Sequence, residues 1–134
     1  MTIKNLLFRF FLVYAGLMVL AGIVLSLLHI QSNSGVNAGV LFGAISWVCM
    51  AFAKKNGRYF SKSEKVVVVF GMLTIDLLIQ FLASLIALIQ ISGTAISAGL
   101  FVGLAVVGFL HLLAIYFFVT IEKRFLIKQG LISG

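Results

Sequence analysis

Four polar side chains carry most of the chemistry open to this apolar sequence. Asp76 sits in GMLTIDLLIQFLASL, with Lys65 the last charge before it and Glu122 the next after it. Gln80 and Ser84 follow at four-residue steps, so a helix through this run sets all three on one face. His111 is the matching titratable group inside LFVGLAVVGFLHLLAIYFFV. A carboxylate and an imidazole inside a membrane can bind or pass a proton. They can equally serve as a hydrogen-bonded tie between helices. Tyr14 and Tyr116 are candidates to extend either network.

Such groups act only if the surrounding elements bring them together. Of the 134 residues, 63% are hydrophobic and 10% charged, which departs strongly from a soluble domain. Runs of about 20 apolar residues cross a bilayer as helices, and four fit, at about 8–29, 36–53, 66–90 and 97–121. The runs do not alternate, which argues against a transmembrane barrel; a helix satisfies its own backbone in lipid. The first run, though preceded by Lys4 and Arg9, is long for a signal peptide and reads as an uncleaved span. The expected fold is an all-α membrane protein of one domain, residues 1–134, with four transmembrane helices in two hairpins. Asp76 and His111 lie at nearly equal distances from a turn near Thr94, so they match in depth. A carboxylate at mid-helix costs about 2.5–3.5 kcal/mol on insertion, which favours its facing other helices rather than lipid.

Every Lys and Arg falls at the start of the chain, between the second and third spans, or after the fourth. The middle group comprises Lys54, Lys55, Arg58, Lys62 and Lys65, in a basic loop at 54–65; the last includes Lys123, Arg124 and Lys128. With four spans these groups share one side, and the positive-inside rule makes that side, and both termini, cytoplasmic. Each hairpin then runs in-out-in. The net charge of +7 is accounted for by topology and attraction to anionic lipid headgroups. No nucleic-acid partner is needed.

Small residues recur four apart at Gly35, Gly39 and Gly43, and again at Ala95, Gly99 and Gly103. That spacing lets another helix approach closely. Packing within the four-helix bundle is the first expectation, supported by Gly22 and Ser26 in span one; a self-association face is the alternative. The stretches NAGVLFG and SAGLFVG, each after a Ser-Gly pair, suggest a parallel duplication of the hairpins. Asn33, Ser34 and Asn37 are candidate caps for span two, and Ser61 with Glu64 forms a capping box opening span three. Asn56-Gly57 reads as a turn, and the tail after residue 121 either continues span four or lies along the interface. Trp47 reads as a packing or anchoring aromatic.

Cys49 is the only cysteine, so no intrachain disulfide forms. No phosphate-binding loop, zinc motif or nucleophile elbow appears, and no metal or other cofactor is expected. The reading is non-enzymatic.

The stretches RFFLVY (9–14), NSGVNAG (33–39), KKNGR (54–58) and SKSEK (61–65) resemble the AciT-like family of small bacterial inner-membrane proteins. The resemblance covers the first half of the chain and implies a four-span bacterial inner-membrane protein with no catalytic residues. In size the chain is also similar to small multidrug transporters, but their carboxylate belongs in the first span, and span one here has none. Two functions fit these expectations. One is a protein acting through intramembrane helix–helix contacts with a membrane partner, as an envelope regulator or toxin-immunity protein does. The other is a small homo-oligomeric, proton-coupled transporter or channel using Asp76 and His111.

Overall fold

A computed structural model of the chain describes residues 1–30, 34–91 and 98–133. These form four helices: α1 (Ile3–Leu27), α2 (Ser34–Asn56), α3 (Lys62–Ile91) and α4 (Ala98–Lys128). All four are long and apolar enough to cross a membrane, and their outward faces carry exposed Leu, Val, Ile and Phe side chains. Lipid, not water, is the medium such faces fit.

Local chemistry explains most of the helix ends. Thr2 caps α1 by accepting from the Asn5 N–H at 3.3 Å, so α1 begins about five residues before the expected span. It stops in a Schellman motif: Ile30 N–H reaches Leu25 O at 3.0 Å and His29 N–H reaches Ser26 O at 3.2 Å. His29 takes the left-handed position with φ 53°, which normally goes to glycine. Gly57, φ 63°, closes α2 with an N–H bond to Ala53 O at 2.8 Å. The capping box is present in both directions. Ser61 N–H donates to Glu64 Oε2 at 2.9 Å, and Glu64 N–H to Ser61 Oγ at 3.3 Å. The tail continues α4 to Lys128 and ends in a second Schellman motif, with Gly130 at φ 70°. The 31 residues of α4 span roughly 46 Å, well beyond a hydrocarbon core of about 30 Å.

The helices form a ring in which α1 touches α2 and α3, and α4 touches α2 and α3; among the described residues, α1 does not pack on α4 nor α2 on α3. Asn56 Nδ2 donates to Met1 O, and Lys65 meets Thr120, so each hairpin is antiparallel. Phe42 stacks edge-on against Phe118 at 4.9 Å, and Ser46 meets Glu122, so α2 and α4 run parallel. The three basic groups therefore gather at one end of the bundle. The ring places α1 beside α3 and α2 beside α4, two hairpins lying flank to flank. A parallel repeat about a two-fold along the bundle would put those pairs on the diagonals, so this arrangement lacks the symmetry of the expected duplication.

Fully buried apolar side chains, among the described residues, are confined to the basic half. Among the described residues, the buried core of α1 stops at Tyr14, that of α2 starts at Leu41, and that of α3 ends at Met72 and Asp76. The Asp76 level is thus the outer rim of the packed half.

Candidate functional site

Asp76 is fully buried and ties three helices together. Its Oδ2 lies 2.6 Å from His111 Nδ1 of α4. Its Oδ1 accepts from Tyr14 Oη of α1 at 2.6 Å and from Gln80 Nε2, one turn along α3, at 2.9 Å. Gln80 Nε2 also lies 3.0 Å from His111 Nδ1. That ring nitrogen has a single hydrogen-bonding direction. With Nδ1–H donating to Asp76, Gln80 donates to Asp76 alone and the 3.0 Å contact is only proximity. Turning the Gln80 amide around would set Oε1 against the carboxylate, so Nε2 is the end that faces Asp76. Asp76 then accepts three donors from three helices, which removes the cost of an unpaired acid in an apolar interior.

Asp76 and His111, matched in depth along the sequence, are in direct contact, and Tyr14 joins them. Tyr116 does not: it lies on the outer face under the Lys65 ammonium, 4.1 Å from its ring centroid. Ser84, one turn beyond Gln80, is half-buried with no hydrogen bond to the cluster. The His111 side chain keeps 19% exposure while Asp76 has none, so the imidazole, together with half-buried Gln80, puts the cluster in contact with the surroundings. Chemically, the arrangement can hold a proton between carboxylate and imidazole, and mechanically it clamps α1, α3 and α4.

A second buried acid escaped the sequence reading. Glu122 follows an apolar run and precedes Lys123 and Arg124, so it reads as a flanking charge. In the fold it is buried and accepts from Ser46 Oγ of α2 at 3.2 Å. The signal that finds it is its place on the stripe Ile115, Val119, Glu122, Leu126, whose three apolar members are fully buried. Nearby, Tyr59 donates to Val119 O at 2.6 Å. Burial, foremost, raises the Tyr59 phenol above its ordinary pKa and keeps it a donor.

The small-residue faces depart from the first expectation. Gly39, Gly43 and Gly103 point out of the bundle, and a Cβ added to any of them would meet nothing within 4 Å. Gly35 and Gly99 are exposed too, while Ala95 lies outside the described residues. Gly22 is equally bare. Close approach inside the bundle falls instead to Gly71, where an added Cβ would stand 2.6 Å from the Leu7 side chain, and to Gly108 against Leu77 at 3.1 Å. Spacing alone does not say which way a stripe faces.

Of the remaining candidates, Asn33 and the Ser34 side chain lie outside the described residues, and Asn37 is inside α2 beside Gly22 and Ser26 rather than at a cap. Lys54, Lys55, Lys62, Lys123 and Arg124 are exposed at the basic end. Arg58 is engaged by Glu64 through two bonds at 2.7 and 2.8 Å, which leaves its charge largely offset. Trp47 is 59% exposed on the outer face of α2. Among the described residues no group of His, Cys, Asp and Glu could hold a metal ion. Comparison of the chain with protein-family models, with curated proteins and with solved structures yields no match.

Proposed function

We propose that this is a non-enzymatic multi-pass protein of the bacterial inner membrane that works through helix–helix contacts with a membrane partner, as envelope regulators and toxin-immunity proteins do. Cytoplasmic termini follow from the basic end by the positive-inside rule, and the AciT-like resemblance of the first half agrees with an inner-membrane location. The carrying observation is the bare face of α2. Gly35, Gly39, Gly43 and exposed Trp47 line it in successive turns, with open space over Gly39 and Gly43. A small-residue face of this kind admits another backbone at close range.

A photo-crosslinking residue at Gly39 or Gly43, activated in the native membrane, tests this. The expected product is one discrete protein adduct, lost in Gly39→Leu while thermal unfolding of the chain is unchanged. Adducts to lipid alone would overturn the reading, and an adduct with a second copy would turn the face into a self-association surface.

The partly exposed His111 imidazole favours a second reading, a proton-coupled transporter or channel built from several copies. It requires pH-dependent flux in proteoliposomes that disappears in Asp76→Asn. Unaltered flux in that variant removes it.

A further inference from the structure

The first turns of α3 face the end of α4 across two adjoining depressions that share Lys65. One, about 180 Å³, has Lys62, Lys65 and Lys123 around it, with Ser61 and Thr120 beside Phe60 and Val119 in its wall. The other runs from Lys65 toward the bilayer middle, about 300 Å³, between Val66, Val69 and Phe70 of α3 and Leu112, Leu113 and Tyr116 of α4. Lys65 itself is half-buried and held in place. Its Nζ donates to Thr120 Oγ1 at 2.7 Å and sits 4.1 Å over the Tyr116 ring. Neither partner carries a negative charge, and among the described residues no carboxylate lies within ion-pair distance of Lys62, Lys65 or Lys123. The nearby acids are committed elsewhere, Glu64 to Arg58 and Glu122 to Ser46.

Three uncompensated ammonium groups around one small pocket call for an anion. An apolar groove opening from the same pocket calls for a hydrocarbon chain attached to it. We propose that this is a binding site for one anionic phospholipid, with its phosphate among Lys62, Lys65 and Lys123 and an acyl chain along the α3–α4 groove. Generic attraction of a basic surface to anionic headgroups needs no groove and no fixed lysine; a preformed, hydroxyl-anchored Lys65 at the junction of the two depressions is the added feature. The corresponding groove between α1 and α2, about 260 Å³, has Arg9 and Trp47 on its wall but only that one cation. It serves as the internal comparison.

The test is lipid binding to the detergent-purified full chain, read by native mass spectrometry and by thermal stabilisation, with phosphatidylglycerol against phosphatidylcholine. The expected result is one tightly retained phosphatidylglycerol, with Lys62→Gln and Lys123→Gln each weakening binding about five-fold. Arg9→Gln leaves it unchanged. Lys65→Met weakens it at least as much; should that variant fold poorly, Lys65→Arg, which keeps the charge, retains binding. Equal retention of the two lipids overturns the proposal, as does binding indifferent to the lysine variants. Stabilisation by inorganic phosphate alone, equal to that by the lipid, overturns the lipid as the ligand.

Discussion

At the residue scale, Asp76 is the clearest case of a costly side chain made tolerable by its neighbours. An isolated carboxylate at mid-membrane is unfavourable, but Tyr14, Gln80 and His111 supply three donors from three helices. Intramembrane hydrogen bonds average about 0.6 kcal/mol each. Asp76→Leu is accordingly expected to destabilise the bundle by about 2 kcal/mol in reversible unfolding in mixed micelles, and Tyr14→Phe by roughly a third of that. Asp76→Leu combined with Tyr14→Phe should fall short of the sum of the single effects, because each alone already removes the Tyr14–Asp76 bond. Full additivity would mean that Tyr14 and Asp76 do not touch. His29 offers the opposite case. It occupies a left-handed position that costs a non-glycine residue about 1–2 kcal/mol, so His29→Gly is expected to raise the unfolding free energy by about 1 kcal/mol. An unchanged or lowered value would count against the Schellman end of α1.

At the element scale, the glycines divide by what faces them. Gly71 brings α3 against Leu7 of α1, and an added Cβ would force that side chain to move. Gly71→Ala is expected to destabilise by about 1 kcal/mol, since overpacking usually costs 1–3 kcal/mol and the flexible end of a leucine gives way most easily. Gly43→Ala, with open space around it, is expected to be neutral or slightly stabilising because alanine is the better helix former. Parallel thermal melts of the two variants decide between them; equal losses would place both glycines in the core. Capping chemistry at this scale was legible. The Ser61–Glu64 box and the Asn56-Gly57 turn follow from short-range hydrogen bonding, and the structure has both. The direction a glycine stripe faces was not legible, because the four-residue spacing that permits close packing is the same on an inward and an outward face.

At the scale of the whole molecule, the ring order makes a testable statement about topology. With Cys49 replaced, a cysteine pair at Phe42 and Phe118 should join under a short crosslinker, because their rings lie 4.9 Å apart. Pairs joining α1 to α4 should not join, since those helices occupy opposite corners. Efficient α1–α4 linkage would instead favour the two-fold arrangement of a duplicated hairpin. The same layout explains why the packed core occupies one half. The basic end holds the turn at 57–61, the Tyr59 and Glu122 tethers and the end of α4, whereas the described residues beyond Asp76 include no fully buried apolar side chain.

The number of helices, their apolar character and the placing of every basic residue at one end were determined by the sequence alone, because hydropathy, helical rise and charge distribution are local or additive properties of a chain. The meeting of Asp76 with His111 was half determined: equal distance from a turn sets depth, but not rotation about the helix axis. Only the tertiary structure decided the rest. It brought Tyr14 into the cluster and left Tyr116 out, turned Glu122 inward and the α2 glycines outward, and set α1 beside α3 instead of across from it. These outcomes depend on which faces of four similarly apolar helices press together. When nearly every face is apolar, amphipathic periodicity is too weak to choose, and shape complementarity with a few buried hydrogen bonds makes the choice.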